Sequence, residues 1–258
     1  MKKLLATILV IGVLIYAGWF LAVNYLYSVP ILMYHHVDGA NKSTDSPTVS
    51  KENFAKQMEL IHKKGYNVIS LDALVDATLN KKRLARNSVV ITFDDGYKDN
   101  YTNAYPDLKK YNFPATIFII TGKIGQIEYV SWEDILEMSK NNISFGSHSR
   151  CHRYLPDLEE GEVKKSVVES KKDLEQKLNT EVKYFCYPLG GFSDRIIKIV
   201  QEAGYKGACT TNKGGNRFNT DTYSLKRIKM KDADIMSWNL WRKLCGFYYW
   251  FTREKAPY

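Results

Sequence analysis

Short apolar runs alternate with amphipathic stretches along the chain from Pro30 onwards. The apolar runs have the length of buried strands, and between them the apolar positions recur with the helical period, which predicts helices at about 51–64, 71–79, 98–111, 132–140, 157–178 and 193–203. The predicted strands are "PILMYH", "YNVIS", "SVVITFDD", "ATIFII", "ISFGSH", "VKYFCYP", "KGACTT" and "LKRIKM". Repeated strand and helix units indicate an α/β protein with a parallel sheet. Their number favours a distorted (β/α) barrel of about seven strands over an open sheet, although the periodicity fits both.

The stretch "TVSKENFAKQMELIHKKGY" shows how a helix is delimited in this sequence. Ser50 is suited to cap its start, and Gly65 follows its end. Phe54, Met58 and Ile61 share one face, which is therefore expected to pack on the core.

An uncharged segment, "LLATILVIGVLIYAGWFLAVNYLYSV", follows Lys2 and Lys3. It is longer than the roughly 20 residues that a helix needs to cross a bilayer, and no clear small-x-small cleavage site follows it. We therefore expect a retained transmembrane anchor over 1–28 rather than a cleaved signal peptide, a single domain that carries the chemistry over 29–235, and an aromatic, basic tail over 236–258. The two lysines would keep the start in the cytoplasm, which predicts a single-pass protein of the cell membrane with its domain outside.

The formal net charge of the 258-residue chain is +9, and it is spread along the sequence. A solvated basic surface explains this charge, and attraction to anionic lipid or to an anionic cell wall is the sharper alternative. Nucleic acid is not an expected partner because no recognition motif accompanies the charge. The four cysteines have no CxxC spacing and are interpreted mainly as buried thiols, with room for one bridge (Cys151, Cys186, Cys209 and Cys245).

Side chains that can bind a metal or transfer a proton follow four of the predicted strands. His35 and His36 end the first strand, the acids of "TFDDG" end the third, two histidines lie in "SFGSHSRCH", and "YPLGG" follows "YFC". In (β/α) barrels the active groups lie at the C-terminal ends of the strands. The four strand ends are therefore expected to meet at one rim.

Two imidazoles and one carboxylate form a three-ligand set with open positions, which is typical of a catalytic divalent metal. His148 and His152 are four residues apart and can reach a common point, and either Asp94 or Asp95 can complete the set. A metal would neutralise one acid and leave the other free to accept a proton from water. Alone, HxxxH and Asp-Asp-Gly are both common structural patterns; together, at successive strand ends, they favour a metal site. Zinc is the expected ion, and cobalt, nickel or iron would also suit these ligands.

At these residues the chain resembles a known family. "ITFDDGY", "GSHSRCH" and "CYPLGG" are similar to the first three motifs of the polysaccharide deacetylases, the NodB-homology domain of carbohydrate esterase family 4, and the similarity extends over 31–231. "ILMYHHV" resembles the opening strand of the branch that contains poly-N-acetylglucosamine deacetylases. The resemblance implies metal-assisted hydrolysis of an N-acetyl group on a sugar, which releases acetate and leaves an amine.

The resemblance also implies roles for individual residues. By position, Asp94 matches the catalytic base, and Asp95, His148 and His152 match the metal ligands. The backbone N–H of Leu189 matches the oxyanion donor of the third motif. Substrate contacts are expected from the same motif and from one later basic residue (Tyr187, Pro188, Gly190 and Arg227).

Two departures from the family pattern concern the acid and base chemistry. Cys186 stands where the third motif commonly has an arginine that orients the catalytic acid. As a separate and weaker candidate, Arg227 in "SLKRIKM" could orient a carboxylate. Many members also have a catalytic histidine near the C-terminus, but no histidine follows His152 here. His35 is the candidate general acid, with a structural strand-end histidine as the alternative, and His62 is interpreted as a surface residue of a helix.

The sequence therefore predicts an extracytoplasmic, metal-dependent deacetylase of polysaccharide that contains N-acetylglucosamine, either cell-wall glycan or poly-N-acetylglucosamine. One alternative keeps the site and changes the substrate to another amide or a small N-acetyl sugar. An alternative of another class is a catalytically silent domain that binds glycan at the membrane. The aromatic tail is expected to pack on the core or to lie at the membrane interface.

Overall fold

The structure of the protein is a computed structural model that describes residues 2–26, 28–38, 48–216, 220–235 and 237–246. The α-helices are α1 (Lys2–Leu26), α2 (Lys51–Lys63), α3 (Leu71–Leu79), α4 (Tyr105–Lys110), α5 (Trp132–Ser139), α6 (Glu160–Leu178), α7 (Asp194–Glu202) and α8 (Ser237–Leu244). The strands are β1 (Val29–Tyr34), β2 (His36–Val37), β3 (Thr48–Val49), β4 (Asn67–Val68), β5 (Ser88–Phe93), β6 (Ala115–Ile119), β7 (Ile143–Ser147), β8 (Tyr184–Cys186), β9 (Gly207–Lys213), β10 (Gly215–Asn216) and β11 (Leu225–Lys229).

A closed parallel barrel forms the centre of the fold. It runs in the order β1, β5, β6, β7, β8, β9 and β11, and β11 pairs with β1 to close it. These seven strands confirm the predicted (β/α) barrel. The predicted strand "YNVIS" forms the short β4, which pairs with the start of β5 and takes no part in closing the barrel. β10 adds to β1 in the antiparallel direction.

The barrel strands are buried on both faces, and this explains why they appear in the sequence as continuous apolar runs. Every residue of β1, β5 and β6 is buried. Side chains fill the barrel from inside while helices cover it from outside, so neither face of a strand meets water. α2 shows the outer packing: Ser50 caps its start, and Phe54, Met58 and Ile61 are fully buried, as predicted.

α1 occupies the segment for which an anchor was predicted, and its large apolar side chains from Ile8 to Phe20 are 46% to 70% exposed. Among the residues that the structure describes, no helix is both long enough and apolar enough to cross a membrane. The transmembrane helix predicted over 1–28 is therefore not found.

α8 joins the predicted tail to the barrel domain. Leu240 and Leu244 are buried, whereas Trp238 and Trp241 stack on each other and are exposed. Residues 247–258 of the predicted tail lie outside the described residues. All four cysteines are described, and each is a free thiol.

Candidate active site

The four predicted strand ends meet at one rim of the barrel. His35 follows β1, the two acids follow β5, His148 follows β7, and the segment from Tyr187 to Gly190 follows β8. The rim is formed by the C-terminal ends of the parallel strands, where chemistry is expected in this fold.

Asp95, His148 and His152 form a three-residue cluster at this rim. The Oδ1 atom of Asp95 lies 3.5 Å from Nε2 of His148 and 3.3 Å from Nε2 of His152. These three atoms lie within 4.8 Å of one another. Asp95 Oδ1 is buried and has no hydrogen-bond partner among the described residues, which is costly for a carboxylate oxygen unless a cation satisfies it.

The histidines of this cluster are held in the form that binds a metal. Nδ1 of His148 lies 2.8 Å from the carbonyl oxygen of Cys186 and donates to it, which in the neutral tautomer leaves the lone pair of Nε2 directed towards the cluster. Burial and the neighbouring His148 lower the pKa of His152 to about 4, which favours its neutral imidazole. Two neutral imidazole nitrogens and an unsatisfied carboxylate oxygen fit a divalent metal ion.

The backbone at the cluster adopts the left-handed conformation that non-glycine residues rarely take. Asp95 (φ 72°), Ser149 (φ 62°), His152 (φ 53°) and Leu189 (φ 56°) all have positive φ. Each such residue costs on the order of 1 kcal/mol, and such residues concentrate at functional sites. The Ser149 hydroxyl accepts a hydrogen bond from the His152 N–H and helps to fix that turn.

Asp94 lies inside the barrel and is held by Arg227 from β11. Nη1 and Nη2 of Arg227 each donate to one oxygen of Asp94, both over 2.6 Å, and Nε of Arg227 donates to the carbonyl oxygen of Thr210. Both side chains are buried. Burial alone would raise the pKa of Asp94, but the Arg227 guanidinium outweighs it and holds that pKa well below its usual range.

Cys186 explains how Arg227 fits into this space. Its Sγ atom lies 3.0 Å from Nη2 of Arg227 and 3.6 Å from Oδ1 of Asp94. The small thiol leaves room in the barrel for a guanidinium that arrives from β11. The structure therefore places Arg227 on the Asp94 carboxylate, and because Arg227 is fully buried, its side chain has no surface for a substrate.

The two histidines after β1 point in different directions, as expected for neighbours on a strand. Nε2 of His35 lies 3.9 Å from Oδ2 of Asp94, and its buried Nδ1 has no hydrogen-bond partner among the described residues. Burial lowers the pKa of His35. His36 instead contacts Asp99 and stacks on Tyr97.

The third motif forms a tight turn at the rim. Leu189 is 63% exposed and Pro188 is buried. Gly190 (φ +73°) lies so close to Thr211 that an added Cβ would clash with its side chain. Tyr187 is fully buried and donates to the carbonyl oxygen of Tyr223, so its side chain packs beneath the rim, and its predicted substrate contact stays a prediction.

Three rim residues were missed by the sequence reasoning. Tyr97, Tyr129 and Lys123 contact one another in a row that begins at His36: the Tyr97 ring stacks on His36, the centres of the Tyr97 and Tyr129 rings are 5.3 Å apart, and Lys123 donates to the Tyr129 hydroxyl. Tyr97 follows the acids directly and could have been noticed, whereas Tyr129 and Lys123 lie in a loop without a periodic signal.

The closed parallel barrel and these side chains define a class of protein: a (β/α) barrel with a carboxylate held by arginine beside a potential metal site. The sequence comparisons agree. The family model "Polysaccharide deacetylase" matches residues 81–208. The YxkH protein of Bacillus subtilis, which is named as a polysaccharide deacetylase, is 33% identical to this chain, and the match covers 78% of this chain and 71% of YxkH. The chain therefore belongs to the polysaccharide deacetylase family.

Further relatives narrow the position within the family. The poly-β-1,6-N-acetyl-D-glucosamine N-deacetylase of Staphylococcus aureus is 28% identical over 78% of each chain. The solved structure of the Streptococcus pyogenes deacetylase PplD in complex with acetate has 30% identity and a TM-score of 0.79, over 84% of this chain and 98% of that chain. The structure of IcaB from Ammonifex degensii shares the fold, with a TM-score of 0.75 over 84% of this chain and 97% of that chain, at 24% identity.

Proposed function

We propose that the protein hydrolyses N-acetyl groups of polysaccharide that contains N-acetylglucosamine, with the help of a divalent metal ion, most simply zinc. The observation that carries the proposal is the pair of adjacent acids with separate partners. Asp95 faces His148 and His152, whereas Asp94 is bound by Arg227. The relationship to poly-N-acetylglucosamine deacetylases supports the substrate class.

The proposed reaction breaks the amide C–N bond and forms a C–O bond to water. The products are acetate and a protonated amine on the sugar: one proton of the attacking water reaches the leaving nitrogen as the C–N bond breaks, and the second follows when the acetic acid ionises. When bound by Asp95, His148 and His152, a divalent ion supplies Lewis acidity to the acetamido carbonyl and to a neighbouring water.

In this proposal Asp94 accepts the proton of the attacking water. The lowered pKa of Asp94 favours its charged form at neutral pH, and the two hydrogen bonds from Arg227 fix the orientation of its carboxylate. A weakly basic carboxylate is effective when the water itself is made more acidic, which is the contribution expected of the metal.

The leaving nitrogen needs a proton donor, and the oxyanion needs a hydrogen-bond donor. His35 is the candidate for the first role because its imidazole lies beside the proposed base, with Nε2 3.9 Å from Oδ2 of Asp94. The backbone N–H of Leu189 is the candidate for the second role, since a main-chain donor at the rim does not depend on the side chain.

We also propose that the barrel works outside the cytoplasm, at the cell membrane. The support is the substrate class, which is extracellular material, and the exposed apolar side chains of α1. Fusion of a periplasmic-type phosphatase reporter after residue 258 tests this proposal: activity is expected from the full chain. An inactive reporter on a fully expressed fusion would contradict it.

Acetate release tests the proposed reaction. The full-length protein is incubated with chitooligosaccharide, poly-N-acetylglucosamine and peptidoglycan, and it is compared with Asp94→Asn, His35→Ala and the control Asp76→Asn, whose exposed side chain lies on α3. We expect acetate from at least one glycan, a loss of about 1,000-fold in Asp94→Asn and full activity in the control. Full activity of Asp94→Asn would refute the mechanism, and full activity of His35→Ala would remove His35 as the acid.

A further inference from the structure

The loop that follows β6 connects the two segments that carry the cluster of Asp95, His148 and His152. Its start is bonded to the segment that carries the histidines, because the N–H groups of Thr121 and Gly122 donate to the carbonyl oxygens of Ser149 and Arg150. Its end is bonded to the segment that carries the acids, since the Val130 N–H donates to the carbonyl oxygen of Gly96. Side chains of this loop are therefore held at the edge of the site.

Lys123 is the basic residue of this loop, and its ammonium group is held by a tyrosine. Its Nζ atom donates to the hydroxyl of Tyr129 over 2.7 Å and lies 4.7 Å from the centre of the same ring. The Tyr129 ring stacks on Tyr97, and the Tyr97 ring stacks on His36 with 3.5 Å between the ring centres. The ammonium group thus lies at the end of a continuous column of stacked rings, and its position is fixed by them.

The charge of Lys123 is unusual among its neighbours. Lys98 pairs with Asp134, Arg150 with Glu169, and Arg153 with Glu162. Within the part of the chain that the structure describes, Lys123 pairs with no carboxylate; a tyrosine hydroxyl and ring hold it instead. It is also close enough to His152 to contribute to the lowered pKa of that histidine.

A fixed ammonium that acts electrostatically on a ligand of a divalent-cation site is unfavourable, since like charges repel. The arrangement becomes favourable when an anion lies between or beside them. The net charge of +9 favours anionic polymers over neutral ones in the same way.

We propose that Lys123 is a specificity-determining residue that binds an oxyanion, a carboxylate or phosphate, on the sugar next to the one that carries the acetamido group. The inference rests on the proposed function and narrows its substrate to an anionic glycan. Because the partner is a charged group at the rim, the contact acts on substrate binding and leaves the reacting atoms untouched.

The test compares two oligosaccharides of equal length. One is a neutral β-1,4-linked N-acetylglucosamine tetramer, and the other is the same tetramer with a 3-O-lactyl carboxylate on alternate sugars, as in bacterial wall glycan. The full chain is used as wild type, Lys123→Gln, Lys123→Arg and the control Lys140→Gln, whose exposed lysine lies at the far end of α5. Binding is measured in the Asp94→Asn background, and acetate release in the active protein.

We expect Lys123→Gln to weaken binding of the anionic tetramer about 10-fold, to lower its kcat/KM by the same factor and to leave the neutral tetramer unchanged. Lys123→Arg should retain most of the preference, and raising the salt from about 50 mM to about 500 mM should reduce it. Lys140→Gln should behave as wild type.

Equal losses on both tetramers would overturn the proposal. So would a loss on both that is accompanied by weaker inhibition by acetate, because that result assigns Lys123 to the product. If the wild-type protein binds the anionic tetramer better, loses that preference in Lys123→Gln and yet releases no acetate, then the proposed hydrolysis fails while the binding site stands.

Discussion

Asp94 and Asp95 are neighbours in the chain, but they point to different partners. The backbone of Asp95 has φ of 72°, which turns its carboxylate out of the strand direction and towards the histidines. The carboxylate of Asp94 points into the barrel and meets Arg227. This left-handed turn separates the two negative charges that the sequence places side by side.

Because Arg227 contacts Asp94 and not the substrate, we predict that a substitution of Arg227 lowers kcat and leaves KM nearly unchanged. Arg227→Lys keeps the charge but loses the two parallel hydrogen bonds that align the carboxylate. We expect kcat to fall about 100-fold while KM stays within about twofold, since Arg227 is buried away from the substrate. Steady-state kinetics and thermal unfolding of the same variant check this. An unchanged kcat in the folded variant would show that the alignment is not used.

A glycine is needed at position 190 for two reasons: the backbone has a positive φ, and a side chain would clash with Thr211. Comparison with Gly125, which has a positive φ and no close neighbour, separates the two energetic costs. An added Cβ would lie 1.9 Å from Oγ1 of Thr211, whereas at Gly125 (φ +82°) it would meet no heavy atom within 4 Å. Gly125→Ala is therefore expected to cost about 1 kcal/mol of unfolding free energy from backbone strain alone.

Gly190→Ala should cost about 1–3 kcal/mol more and should also lower acetate release, because the turn that presents Leu189 must shift. Urea unfolding of both variants measures the difference. Equal unfolding free energies for the two variants would mean that the contact with Thr211 relaxes freely.

At the scale of single elements, α3 closes the end of the barrel opposite the site. Asp72 in its first turn accepts hydrogen bonds from Nζ of Lys183, at 2.8 and 3.0 Å, and from the hydroxyl of Tyr184 at 2.5 Å. Burial alone would raise the pKa of Asp72, but these donors outweigh it and lower the pKa below its ordinary value.

A carboxyl group whose pKa is lower in the folded state adds stability above its unfolded pKa and loses that contribution as the pH falls. Asp72→Asn is expected to cost about 1 kcal/mol of unfolding free energy at neutral pH, a small value because the pair is partly exposed to solvent. The gap between wild type and variant should close below about pH 4. Urea unfolding across this pH range checks it, with Asp76→Asn as control, and a constant gap would contradict the assignment.

Most elements of the barrel could be predicted because their sequence signals are local. The buried strands are continuous apolar runs, and the faces and caps of helices such as α2 follow from spacing. The pairing of β1 with both β5 and β11 could not be predicted in this way, because the same runs fit an open sheet. The two-residue strands β2, β3 and β10 are too short to leave a periodic signal.

The same limit applies to the site. The cluster of Asp95, His148 and His152 follows from short motifs, whereas the contact between Asp94 and Arg227 joins residues that are 133 positions apart. Only closure of the barrel brings β11 to the carboxylate. The spacing of residues in the sequence likewise does not show which basic side chains near Lys123 form ion pairs with carboxylates, because those pairs depend on the folded structure.

At the scale of the whole molecule, the fold separates its two ends. α1 leads into the N-terminal end of β1, and the candidate site lies at the C-terminal ends of the barrel strands. Ser28, at the junction, donates through both its N–H and its hydroxyl to the carbonyl oxygen of Gly246, which ties the start of the barrel to the end of α8. The candidate site therefore lies at the end of the barrel opposite the one at which the chain enters from α1.

In the proposed mechanism Asp95 is a ligand of the metal ion, and Asp94 is the base that accepts a proton from water. The most direct test is the zinc content per chain, measured by mass spectrometry after equilibrium dialysis, for the wild type, Asp94→Asn and Asp95→Ala, together with acetate release from the same samples. We predict one zinc ion per chain in the wild type and in Asp94→Asn, none in Asp95→Ala, and acetate release by the wild type alone. Loss of zinc from Asp94→Asn, or acetate release by a zinc-free Asp95→Ala protein, would contradict the account.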